Sequence, residues 1–211
     1  MRKAPEGQGD GVGRIGAKGA PKQRMSGGGP VNIYLIGVRG SGKSAVGRRL
    51  AADGGRPFCD MDTELVRRFG RSIQEFVHAQ GWAAFRSAEK SLLRELAARE
   101  GLVVSTGGGV VLDEGNIEDM CRSGRVVWLR AEPETLLKRL QTDEGMGPQR
   151  PALTPGLGLA EEVRQTLAAR EPLYRRAMGW DVVTDGLSVA AVCRIIMEHL
   201  EPRVETGGAF P

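Results

Sequence analysis

Apolar positions along the chain follow two alternating rhythms. Short unbroken apolar runs recur at "VNIYLIG" (31–37), "PFCD" (57–60), "LVVST" (102–106), "VVWL" (126–129) and "DVVT" (181–184). Runs of this length bounded by Gly, Pro or polar residues read as strands buried on both faces. Between them lie segments of helical periodicity: 43–52, "TELVRRFG" (63–70), a helix opened by "SIQE", and a long amphipathic stretch from Trp82 to Glu100. Further ones fall near 114–122, at 132–140, at 159–178 with an interruption expected at Pro172, and at 189–200. Ser72 with Glu75 three positions on has capping-box spacing, and Pro133 suits a first helical turn. Strands alternating with helices predict an α/β domain with a parallel sheet of five core strands covered on both faces. Ligands of such sheets sit beyond the carboxyl ends of the strands.

Composition sharpens this picture in three places. The 211 residues are 40% hydrophobic and 27% charged, enough for one ordinary domain with a real core. No apolar run reaches the roughly 18 residues of a membrane span, and the basic start has no apolar core of a secretory signal. The net charge of +4 is concentrated: residues 1–30 hold six Lys/Arg, two acids and nine glycines, leaving 24 basic and 24 acidic groups elsewhere. Residues 1–30 therefore read as a disordered basic tail, a solvated leader or the product of an upstream start codon (Met25 being the candidate start) in preference to a nucleic-acid arm, and 201–211 as a frayed end. The domain itself has no basic face, and 5% aromatic residues offer little stacking surface for bases, which disfavours nucleic-acid binding. Cys59, Cys121 and Cys193 are odd in number and widely spaced, against a disulfide framework or zinc site and for a reducing cytoplasm.

The chemistry clusters at strand ends. "GVRGSGKS" (37–44) matches G-x-x-x-x-G-K-[ST] in full, between a predicted strand and a predicted helix. Gly37, Gly40, Ser41, Gly42, Lys43, Ser44 and Ala45 would cradle the phosphates of a nucleoside triphosphate, Lys43 would reach the β- and γ-phosphates, and the Ser44 hydroxyl would ligate Mg²⁺. Arg39 in the same loop reads as solvated.

Four further groups are weaker singly. In "DMD", Asp60 and Asp62 at a period of two project alike from an extended strand end. One could hold Mg²⁺ and the other orient an acceptor hydroxyl, or Asp62 could simply cap a helix. In "FRSAE", Arg86 and Glu89 share a helix face, as a surface ion pair or as a guanidinium braced for a substrate carboxylate. The glycines of "TGGG" (106–109) imply close approach of backbone to something. "QRPAL" supplies Arg150 from a Gly/Pro-rich loop at 141–158, suited to a mobile lid, and "AREPLY" supplies Arg170.

Taken together and in this order, these motifs resemble the shikimate kinase family of small P-loop kinases over about residues 31–200. The resemblance implies a three-layer fold with strand order 2-3-1-4-5, a lid, and ATP- and Mg²⁺-dependent phosphorylation of the 3-hydroxyl of shikimate in the chorismate route to aromatic amino acids. It implies that Asp62 binds the acceptor hydroxyl as base or orienter and that Asp60 helps hold Mg²⁺. Arg86 and Arg170 would grip the shikimate carboxylate, with Glu89 bracing Arg86, and Gly107, Gly108 and Gly109 would line the acceptor pocket. Arg150 would close onto the phosphates and Arg139 lie against the adenine. A cytoplasmic monomer with small-molecule substrates and no membrane contact is expected. Met61 departs from the small hydroxyl residue frequent in the family, its side chain expected to point away from the pocket. The lid is longer than usual for the family. Two rivals stand beside this reading: a gluconate-type kinase of the same architecture, and a non-catalytic ligand sensor.

Overall fold

Five strands and seven helices are seen in the computed structural model, which describes residues 30–142 and 158–200. The strands are β1 (Asn32–Ile36), β2 (Phe58–Asp60), β3 (Val103–Ser105), β4 (Gly124–Arg130) and β5 (Trp180–Val183), all parallel in the order β2-β3-β1-β4-β5. Order and direction match the expectation. The basic tail, Arg150 with nearly all of the 141–158 segment, and the C-terminal end lie outside the described residues. Within the described residues, no helix is long and apolar enough to cross a membrane.

Strand alternation builds two apolar layers. Tyr34, Ile36, Val126 and Trp128 face a core completed by Leu65, Phe85, Leu92, Met120 and Tyr174. Ile33, Leu35, Val127 and Leu129 face the other, which holds Val46, Leu50, Val192 and Ile196. The first layer is therefore covered by α2 (Met61–Phe69), α3 (Ile73–Ala97), α4 (Glu114–Ser123) and α6 (Leu159–Ala177), and the second by α1 (Lys43–Asp53) and α7 (Val189–Leu200). α5 (Pro133–Thr142) follows β4, with Pro133 in its first turn as expected. Burial on both faces is why β1, β3 and β4 are apolar without alternation. The edge strands β2 and β5 depart from that expectation: they are only partly buried, and Val183 of β5 is 41% exposed.

Local signals decide the helix ends. The Ser72 hydroxyl accepts the Glu75 N–H at 3.1 Å while the Glu75 carboxylate accepts the Ser72 N–H at 2.8 Å, completing the capping box. Gly70, at φ 64°, ends α2 in the left-handed region that glycine adopts at least cost. The two helices expected around Gly81 are one element broken at that residue, whose φ of 81° and ψ of 165° are non-helical. The interruption expected at Pro172 does not occur. α6 runs through it, since the proline deletes a single backbone donor, and Val163, Tyr174 and Ala177 are buried on either side of it.

Candidate active site

The loop after β1 is shaped by what its glycines admit. A Cβ on Gly37, which has φ 143°, would come to 2.5 Å from the Leu129 carbonyl oxygen and 2.8 Å from Ser41 Oγ. The loop can thus fold tightly against β4 only with glycine there. Gly42 caps α1 in a left-handed conformation, and among the described residues no side chain caps that helix. Its first N–H groups therefore point from a positive helix end into the loop, an arrangement suited to phosphate. Lys43 Nζ donates to the Gly37 and Val38 carbonyls, each at 2.9 Å, which sets the ammonium charge inside the loop. Arg39 is exposed, as expected.

The Asp60 and Asp62 reading needs correction. The helix begins at Met61, so the two carboxylates do not project together from a strand end. Asp60, not Asp62, is the N-cap: its Oδ1 accepts the N–H groups of Asp62 at 3.1 Å and Thr63 at 3.2 Å. Its other oxygen, Oδ2, accepts the Ser44 hydroxyl at 2.5 Å. One carboxylate thus serves both a helix end and the phosphate loop. Asp62 lies in the first turn of α2 and Met61 is fully buried in the core, away from the pocket.

The glycine loop after β3 meets the remaining groups. Thr106 fastens its start to β1, donating N–H at 3.1 Å and hydroxyl at 2.9 Å to the Leu35 carbonyl. A Cβ on Gly107 would overlap the Glu89 carboxylate and come within 3.3 Å of Asp62 Oδ1. One on Gly108 would lie 3.4 Å from the Gly37 carbonyl oxygen and 3.6 Å from Arg170 Nη1. One on Gly109 would strike the Arg86 guanidinium, with Cζ at 2.6 Å. Gly107 and Gly109 are needed as glycines because the Glu89 carboxylate and the Arg86 guanidinium press on this backbone, whereas a Cβ on Gly108 would sit at ordinary van der Waals distance. Arg86 pairs with Glu89, whose exposure is 0%, so the surface ion-pair alternative is excluded. The guanidinium also lies 5.4 Å from the Trp82 ring centroid and 5.2 Å from that of Phe85, over which it is held.

A cavity beside these parts is lined among others by Arg39, Trp82, Arg86, Gly109, Glu162 and Arg170, while Asp62, Lys43 and Ser44 lie off its lining. Trp82, Leu140, Leu159 and Thr166 on its lining were not picked out from the sequence. Trp82 carries a signal there, standing four residues before Arg86 on one helix face. On the far side of the phosphate loop, Arg139 donates to the Thr184 carbonyl at 2.8 Å, the Thr184 hydroxyl at 3.0 Å and the Gly40 carbonyl at 3.4 Å. Thr184 was likewise not foreseen. Burial, with Glu64 and Asp60 nearby, pushes the Cys59 thiol up, which fits a packed rather than a reactive cysteine.

A phosphate loop on a five-stranded parallel sheet, beside a cavity lined by Arg39, Arg86, Arg170 and Glu162, defines a small-molecule kinase of the P-loop class. The shikimate kinase family model matches residues 39–201. A shikimate kinase of Symbiobacterium thermophilum is 41% identical over 177 residues, 84% of this chain and 100% of that protein. One of Nitratidesulfovibrio vulgaris is 45% identical over 145 residues, 69% of this chain and 82% of that protein. The solved structure of shikimate kinase from Acinetobacter baumannii in complex with shikimate superposes with a TM-score of 0.75 at 34% identity, covering 81% of this chain and 93% of that one. The chain belongs to the shikimate kinase family.

Proposed function

We propose that this protein is a shikimate kinase, transferring the γ-phosphoryl group of ATP to the 3-hydroxyl of shikimate to give ADP and shikimate 3-phosphate on the chorismate route. The observation that carries the reading is the packing of Asp62, Glu89, Arg170 and Arg86 against the Gly107–Gly109 backbone, which itself abuts the phosphate loop. That juxtaposition holds an anionic, hydroxylated acceptor next to a nucleoside triphosphate, and no gluconate-type or sensor role is needed to account for it. Residues 31–200 form the kinase unit in this reading.

Phosphoryl transfer needs positioning and charge neutralisation more than covalent chemistry. Arg86, stiffened by buried Glu89, and Arg170 grip the acceptor carboxylate and so fix the ring. Asp62 takes a hydrogen bond from the attacking hydroxyl, aims it in line, and receives its proton. Lys43, Gly37, Gly40, Ser41, Gly42, Ser44 and Ala45 hold the phosphates, Arg139 flanks the adenine, and Arg150 closes over the transferring group to exclude water. Mg²⁺ fits the donor set: a hydroxyl and a carboxylate oxygen in contact, Ser44 and Asp60, are hard ligands of the kind that complete a site shared with substrate phosphates. When bound it neutralises phosphate charge.

The experiment is ADP release with Mg-ATP in the presence of shikimate, gluconate, quinate or no acceptor. Strong stimulation by shikimate alone is expected. Stimulation by gluconate instead, or by no acceptor while ATP still binds, overturns the assignment.

A further inference from the structure

The chain has two tyrosines, and both are fully buried with hydroxyls in hydrogen bonds. Tyr34 bonds to Ser123 Oγ at 2.8 Å on the side of the core near the α3 and α4 termini. Tyr174 is placed differently. It sits on α6 one turn beyond Arg170, and its hydroxyl donates to the Gly108 carbonyl at 2.5 Å. Its ring stacks on Trp128, centroids 5.7 Å apart and planes at 22°. Trp128 is the β4 partner of Ile36, the residue that leads directly into Gly37. A Cβ on Gly108 would lie 3.4 Å from the Gly37 carbonyl oxygen, so the glycine loop and the phosphate loop run close together there.

A closed circuit results: the strand entering the phosphate loop, Trp128, Tyr174, the Gly108 carbonyl, and back to the phosphate loop. Arg170 rides on the same helix, one turn before the tyrosine. We propose that Tyr174 is a positioning residue, whose hydroxyl sets the height of the glycine loop relative to Arg170 and so the registration of acceptor against nucleotide. The inference rests on the reading of Arg170 as an acceptor-binding arginine. Its chemical basis is the directionality of the bond. A buried carbonyl deprived of its donor moves to find another, and a shift of a fraction of an ångström at Gly108 is passed to Arg170 on one side and to Gly107 and Gly109 on the other.

The test compares Tyr174→Phe with Tyr34→Phe, each removing one buried hydroxyl of similar setting, by melting temperature, ATP Kd, acceptor KM and kcat. Tyr174→Phe is expected to raise the acceptor KM about tenfold with ATP Kd within about twofold of the parent. Tyr34→Phe is expected to lower the melting temperature and leave the acceptor KM unchanged. A Tyr174→Phe enzyme that loses thermal stability but keeps its acceptor KM overturns the proposal and makes the hydroxyl merely structural. Should that variant fail to fold, Trp128→Phe keeps the hydroxyl and loosens the ring behind it: a raised acceptor KM at unchanged ATP Kd supports the proposal, and an unchanged KM overturns it. Arg170→Ala run in parallel separates the two readings. If it leaves the acceptor KM unchanged, the acceptor-site assignment fails. If it raises that KM while Tyr174→Phe does not, the positioning role alone fails.

Discussion

The Ser44 hydroxyl donates to Asp60 Oδ2 at 2.5 Å, so the first turn of the phosphate-loop helix is tied to the carboxyl end of β2. The same aspartate caps α2 through its other oxygen. A single side chain thus fixes the distance between the nucleotide loop and the helix that carries Asp62.

Asp60→Asn separates these duties, because asparagine still caps a helix but carries no charge. The fold should survive with a small change in melting temperature. The Mg²⁺ concentration for half-maximal ADP release should rise about tenfold or more. An unaltered Mg²⁺ titration curve would remove Asp60 from the metal site.

Asp62→Asn should reduce kcat by about 10²–10⁴ while ATP Kd stays near the parent value. The substitution is nearly isosteric, so the loss reports the proton-accepting role rather than packing. Turnover within a few-fold of the parent would remove Asp62 from that role.

Gly109→Ala places a methyl group against the Arg86 guanidinium, whose Cζ would lie 2.6 Å away. Arg86 cannot retreat easily, because its partner Glu89 is buried and its ring neighbours Trp82 and Phe85 confine it. We expect acceptor KM to rise by about tenfold or more, with nucleotide binding intact. A normal acceptor KM would show that Arg86 is not used by the acceptor.

The Glu64 carboxyl is lowered to about 2 by hydrogen bonds from Arg67 and then Arg68. Arg68 also holds Glu95 at 2.7 Å, joining α2 to α3. In an unfolded chain Glu titrates near about 4.3. The folded value being the lower one, its contribution is complete above the unfolded value and disappears as pH falls through about 2. Exposure of the arginines limits the gain to about 1 kcal/mol or less. Thermal melts of the parent and Glu64→Gln should differ at pH 7 and converge towards pH 2. A difference independent of pH would contradict the ion-pair account.

Most of the architecture was legible because it is written in short-range chemistry. Five apolar runs announce the five strands, although only the inner three are buried on both faces, and the capping box at Ser72 and the stop at Gly70 announce helix ends. The phosphate loop was legible for the same reason, being one contiguous segment. What could not be read depends on long-range packing. That Asp60 rather than Asp62 caps α2 follows from where the chain turns out of β2, and "DMD" alone allows either. That α6 continues through Pro172 follows from buried contacts on both sides of it. The burial of Glu89 separates a site from a surface pair, and Thr184 meets Arg139 across 45 residues of sequence.

Gly108 is hemmed in by the Gly37 carbonyl, the Arg39 amide and Arg170, each close enough to touch a side chain placed there. Under the proposed function, the nucleotide loop and the acceptor pocket therefore meet at one stretch of backbone. That backbone cannot be lowered to admit a bulkier acceptor without pressing on the triphosphate seat beneath it. The tolerant side of the pocket is its helical walls, where Trp82, Thr166 and the 42%-exposed Leu159 border open space. Under the proposed function, variation in what this scaffold phosphorylates is expected there, on α3 and α6, while Gly107 and Gly109 stay glycine.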